Sequence, residues 1–124
     1  MHELALADAL LQQVTRIAAE QPEPVRVVEV EVEVGERMQV VPESLLTAWE
    51  AVCLDTPFQG AALRLVERKA QARCRRCAQT YEPPPADCRC PCCGVADPEW
   101  IAGDALLLKA LECETDEEAA RGAR

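Results

Sequence analysis

A chain of 124 residues that is 49% hydrophobic but only 3% aromatic can build one compact domain, or a small domain with a smaller module, on Leu, Val and Ala. Its formal charge of −9 argues against nucleic acid and anionic membranes as main partners, because holding phosphates takes a basic surface. No apolar run approaches the ~20 residues that span a bilayer, and the start, M-H-E-L, has no basic leader segment, so the expected compartment is the cytoplasm.

Residues 3–20 read as an amphipathic helix. Leu4, Ala7, Leu11, Val14 and Ala18 follow helical spacing, Leu10 and Ile17 widen the stripe, and Pro22 and Pro24 end it. Residues 25–34 read as a strand, with Val28, Val30, Val32 and Val34 on one face and Glu29, Glu31 and Glu33 on the other. The carboxylate row reads as a solvated face before it reads as a cation site. Residues 42–54 read as a second helix. Pro42 suits its first turn, Leu45, Leu46, Trp49, Val52 and Cys53 form its stripe, and Asp55-Thr56-Pro57 stops it. Trp49 and Cys53 lie on that stripe and read as core.

Residues 61–70 read as a second strand. It leads into C-R-R-C-A-Q-T-Y-E-P-P-P-A-D-C-R-C-P-C-C-G, Cys74 to Gly94. Cys74 and Cys77 form one C-x-x-C and Cys90 and Cys93 another, and two such turns facing each other make a four-thiolate cage that suits zinc. Cys90 and Cys93 are chosen over Cys88 and Cys92 because Gly94 follows them and lets the turn close. Pro83, Pro84 and Pro85 force an extended loop between the pairs. A disulfide cluster is the competing reading, and it needs an oxidising compartment. Arg73, Arg75, Arg76 and Arg89 read as charge neutralisation around the cage. Asp97-Pro98 reads as a turn, Gly103-Asp104 as a hairpin turn, and residues 105–113 as a third strand. The cysteine module is thus inserted between two strands of the body, which must lie near enough for the chain to leave and return.

Several short motifs follow one another along the chain: M-H-E-L at the start, Val34-Gly35-Glu36, P-E-S-L from Pro42, Trp49-Glu50, Gly60-Ala61-x-Leu63, C-x-x-C-x-x-x-Tyr from Cys74 to Tyr81, C-P-x-C-G from Cys90, and Gly103-Asp104-x-Leu106. Together they resemble the HypA/HybF hydrogenase maturation proteins, a family of nickel metallochaperones. The resemblance implies an α+β fold of two helices packed on a small three-stranded sheet with an inserted zinc-ribbon lobe. On this chain the nickel-binding domain would be residues 1–70 and 97–114 and the zinc lobe 71–96, with a frayed charged tail at 115–124. It places structural zinc on Cys74, Cys77, Cys90 and Cys93, and transferable nickel on His2 with Met1 and Glu3 contributing. The implied partners are a HypB-type GTPase and the hydrogenase large subunit, and a homodimer is compatible with it. Trp49 departs from the usual Phe and Ala78 from the usual Gly, and Cys88 and Cys92 are additional thiols.

The residues support a terminal nickel site on their own chemistry. His2 is the single histidine, and a lone His near a terminus is ordinarily just an exposed side chain. Here the Met1 amine, the imidazole and deprotonated backbone nitrogens fall within one chelate, and Ni(II) accepts square-planar nitrogen sites. Binding would release protons, so affinity should fall with pH. Glu3 can add its backbone nitrogen, its carboxylate or only charge. No Ser/His/Asp set or phosphate loop points to an enzyme. Two other readings stand beside this one: a zinc-ribbon adaptor that transfers no metal, and a redox protein using C-R-R-C or Cys88 and Cys92 as a dithiol.

Overall fold

The computed structural model describes residues 2–115. It has the expected α+β fold, two helices and a three-stranded sheet with an inserted cysteine lobe. Helix α1, His2–Ala19, buries Ala7, Leu10 and Val14, and it packs on α2. The buried line therefore runs through Leu10, while Leu4, expected in the stripe, remains 40% exposed. The Glu20 and Gln21 N–H groups still donate to the Ile17 and Ala18 carbonyls, so the last turn tightens before the prolines.

Strand β1, Val25–Gly35, buries Val27, Val30 and Val32, with Val28 and Val34 half-buried. Glu31 on its other face pairs with Arg64 at 2.8 Å, an exposed contact typical of a solvated row and worth about 0–1 kcal/mol. A 3-10 turn, Glu36–Met38, follows. Helix α2, Pro42–Cys53, starts on Pro42, where the missing N–H costs nothing. It buries Leu45, Ala48, Trp49 and Cys53, whereas Leu46 faces outward at 39% exposure. The Trp49 indole N–H donates to the Ala61 carbonyl at 2.9 Å, which satisfies the one polar atom that its burial would otherwise strand. Burial pushes the Cys53 thiol up to about 11, so it behaves as a small apolar side chain. Asp55, at φ 61°, and the Thr56 hydroxyl, donating to the Cys53 carbonyl, stop the helix at the residues expected to stop it.

Strand β2, Ala62–Arg68, enters the insertion. Inside it, β3 (Gln71–Cys74), β4 (Thr80–Tyr81) and β5 (Pro98–Ala102) form a second sheet in the order β4-β3-β5, antiparallel at both pairings. Strand β6, Leu106–Thr115, leaves it, and the body sheet runs β2-β1-β6. The strands flanking the insertion thus lie one strand apart, with β1 between them.

Two expectations change besides those for Leu4 and Leu46. Pro98–Ala102 is a strand where Asp97-Pro98 suggested a turn; Pro is tolerated as the first residue of a strand, and Trp100 and Ile101 favour one. Gly103-Asp104 closes no hairpin, because β5 pairs with β3 and β6 with β1, so it is a corner between two sheets. Thr115 ends β6, and the expected tail beyond it lies outside the described residues.

The chain divides into two compact units. Among the described residues, one holds 2–32, 40–65 and 108–115; the other holds Glu33–Gln39 and Val66–Leu107. Among the described residues no helix is long and apolar enough to cross a membrane.

Candidate metal centre

Two turns of the same build hold the cysteines. In the first, the Ala78 N–H donates to the Cys74 carbonyl at 2.8 Å and the Cys74 N–H to the Gln79 carbonyl at 2.9 Å. In the second, the Gly94 N–H donates to the Cys90 carbonyl at 2.8 Å and the Cys90 N–H to the Val95 carbonyl at 3.0 Å. Each turn needs a left-handed residue after its second cysteine. Gly94 supplies it at φ 76° without strain, and Ala78 adopts it at φ 65° against its Cβ, a cost of roughly 1–2 kcal/mol.

The turns bring together the Sγ atoms of Cys74, Cys77, Cys90 and Cys93, all within 4.8 Å of one another. Cys74 and Cys93 are 3.6 Å apart and Cys77 and Cys90 3.5 Å. A tetrahedral zinc with Zn–S bonds of about 2.3 Å would set its sulfurs roughly 3.8 Å apart, so the donor set fits a zinc ion. A disulfide needs about 2.05 Å, and all eight cysteines are free. Cys88 and Cys92 stand outside the group. Cys74 and Cys90 are buried, whereas Cys77 and Cys93 face solvent.

The thiols differ in acidity. The Cys77 N–H holds the Cys74 thiol down to about 7, with the Arg76 N–H and the Cys93 and Cys77 thiols assisting. N–H donors from Cys93 and Cys92 lower Cys90 in the same way. Although the Gln79 N–H favours the Cys77 thiolate, burial and the Cys90, Cys74 and Cys93 sulfurs together push that thiol up to about 12. Four thiols this close share their charge unevenly: Cys74 and Cys90, each favoured by two backbone N–H groups, ionise first, and Cys77 and Cys93, each favoured by one, resist.

Around the cage, Tyr81 donates its hydroxyl to the Cys88 carbonyl at 2.6 Å, pinning the Pro-rich loop. Its ring joins Ala72, Cys74 and Cys90 in a buried cluster against which Trp100 packs. Of the four arginines read as neutralising the cage, Arg89 grips Asp87 at 3.0 and 2.9 Å and Arg75 lies 3.5 Å from Asp97. Those two guanidinium groups therefore pair with carboxylates. No local pattern pointed to Trp100, whose role depends on the pairing of β5 with β3.

At the other site expected from sequence, His2 opens α1 with its side chain 52% exposed, and its Nδ1 lies 3.4 Å from a Glu3 carboxylate oxygen. The Glu3 carboxyl is held below the usual carboxylate range, chiefly by its own N–H, against the effect of burial, with further help from His2 and the Val41 N–H. The structure thus brings His2 and Glu3 together at an open helix start. Met1, the third residue expected there, lies outside the described residues.

A family model described as "HypA: Hydrogenase/urease nickel incorporation, metallochaperone, hypA" matches residues 1–113. The hydrogenase maturation factor HybF of Escherichia coli strain K12 is 35% identical over 114 residues, spanning 92% of this chain and 100% of its own. The hydrogenase maturation factor HypA of Streptomyces avermitilis is 34% identical over 115 residues, spanning 92% of this chain and 88% of its own. The solution structure of the Ni metallochaperone HypA from Helicobacter pylori shares the fold, with a TM-score of 0.73 over 94% of this chain and 100% of that one at 21% identity.

Proposed function

The chain belongs to the HypA/HybF family of nickel-incorporation metallochaperones, and on that premise we propose that it binds Ni(II) at its amino terminus and delivers it during maturation of [NiFe]-hydrogenase. The observation that carries this reading is the contrast between two metal-suited sites. The four cysteines form a closed set with two buried members, which favours keeping a metal. His2 and Glu3 sit at an exposed helix start, which favours handing one on. Zinc on Cys74, Cys77, Cys90 and Cys93 would cross-link the lobe, and nickel at Met1, His2 and Glu3 is cargo. In this role the protein is not an enzyme. It works in the cytoplasm, receiving or passing nickel through a HypB-type GTPase to the hydrogenase large subunit.

Calorimetric titration of nickel into untagged, zinc-loaded protein tests this directly, beside His2→Ala and a variant with one Gly before Met1. The wild type should bind about one nickel per chain, as a single chelate provides. Both variants should lose affinity by more than the ~10–100-fold that even second-shell changes cost a metal site, with zinc retained. Equal nickel binding by all three would leave the zinc-ribbon adaptor as the better reading.

The thiol acidities set a pH dependence for the cage. Zinc needs thiolates, so at any pH it displaces whatever protons the free cage carries. With Cys77 near 12, its proton is displaced across the whole neutral range. With Cys74 near 7, its proton is displaced only below that pH. Zinc affinity should therefore weaken as pH falls and weaken more steeply below about 7. Competition against a chelator between alkaline and mildly acidic buffer reads that slope, and a flat profile would argue against thiolate ligation.

A further inference from the structure

We infer that metal held by the four thiols orders the far end of β1 and the 3-10 turn after it, acting through Trp100 and Arg37. The inference rests on the zinc reading of the cage. Residues Glu33–Gln39 contain no cysteine and lie far from the cage in sequence, yet they group with Val66–Leu107. The link is a short stack of contacts. Two cage members, Cys74 and Cys90, sit in the buried cluster with Ala72 and Tyr81, and Trp100 packs against that cluster. The Arg37 guanidinium lies over the Trp100 ring, 4.0 Å from its centroid.

Backbone contacts fix the segment beside that stack. The Arg37 N–H donates to the Gly103 carbonyl at 2.8 Å, and the Gly35 N–H to the Ala105 carbonyl at 2.9 Å. A Cβ on Gly35 would stand 2.5 Å from the Gly103 carbonyl carbon, so the two chain segments touch backbone to backbone. The cluster beneath Trp100 is made of one Ala, one Tyr and two Cys, too little apolar surface to hold its shape once its two thiols lose their common ligand. Trp100 then loses its support, Arg37 loses the ring face that a cation prefers, and the two N–H donors open to water. By linkage the effect runs both ways: weakening the Arg37 stack must weaken metal binding.

Hydrogen exchange followed by NMR on the full chain tests this, with zinc counted per chain in each sample. Removing zinc with a chelator should speed exchange at Gly35 and Arg37 by at least about ten-fold, in step with Cys74 and Cys90, while Leu45 in α2 keeps its rate. In zinc-loaded protein, Arg37→Ala should speed Gly35 exchange and lower zinc affinity roughly two- to five-fold, the scale of one exposed cation–π contact, with Arg37→Lys in between. Exchange at Gly35 and Arg37 that stays unchanged while Cys74 and Cys90 accelerate overturns the coupling and leaves the zinc site standing. A chain that purifies folded with no zinc overturns both.

Discussion

Exchanging Cys74 for Ser is expected to strip the chain of zinc and to unfold Val66–Leu107, while α1 and α2 stay helical. The reason is the balance of terms inside that part of the chain. Its buried side chains are Ala70, Ala72, Cys74, Tyr81, Pro83 and Cys90, of which only Tyr81 is large. Its strands are short, with β3 spanning Gln71–Cys74 and β4 only Thr80–Tyr81. Ordering each residue costs roughly 1–2 kcal/mol of backbone entropy, and apolar burial returns only about 25 cal/mol per Å². Six buried side chains, most of them small, cannot offset that, whereas zinc on four thiolates contributes on the order of 10–16 kcal/mol in comparable small modules. Ser in place of Cys74 offers no thiolate, and it removes a ligand from the buried half of the cage. By contrast the helices bury Leu10, Val14, Leu45 and Trp49 against apolar neighbours without the cage. Zinc content, hydrogen exchange at β3 and far-UV circular dichroism are the measurements. A Cys74→Ser protein that keeps one zinc and a protected Ala72 amide would refute the metal as the organiser of this lobe.

How much of this was legible in sequence depended on whether the signal was local. Helix α2 was, because Pro42, the stripe through Leu45, Trp49 and Cys53 and the stop at Asp55-Thr56 all lie within one stretch. Strand β1 was, because alternation of Val and Glu is a local pattern. The four-thiol set was legible because each half is a single turn whose geometry C-x-x-C dictates, and Gly94 identified which of the crowded thiols close it. His2 and Glu3 meet simply because they are neighbours. What stayed hidden required knowing who pairs with whom. Strand β5 is ordered by β3, which precedes it across the whole cysteine loop, so its own residues showed only the Asp97-Pro98 turn. The Arg37–Trp100 stack joins the turn after β1 to β5, and no periodicity links them. Leu4 read as core from spacing alone, but which residues of α1 are buried depends on where α2 packs.

Substitution of Gly103 carries the other large expected effect, and its reading as a turn residue understates it. At φ 83° an L side chain already costs roughly 1–2 kcal/mol. In addition, a Cβ there would meet the Ala70 Cα at 2.5 Å, the Ala70 nitrogen at 2.6 Å and the Lys69 carbonyl oxygen at 2.7 Å. All three are backbone atoms, so no side chain can swing aside, and the corner itself must open. Overpacking of this kind adds typically 1–3 kcal/mol, so Gly103→Ala should cost about 2–5 kcal/mol in zinc-loaded protein. Gly35→Ala has no left-handed penalty but meets Gly103 and the Ala105 oxygen, the latter at 2.8 Å, and should fall somewhat below it. Gly94 is the control. It is also left-handed, at φ 76°, but nothing lies within 4 Å of its missing Cβ, and Ala78 already occupies the equivalent place in the other turn. Gly94→Ala should therefore cost only about 1–2 kcal/mol. Denaturant midpoints of the three variants decide between close packing and turn conformation as the cause. If Gly103→Ala is no worse than Gly94→Ala, the close approach of Gly103 to Lys69 and Ala70 contributes nothing beyond its turn.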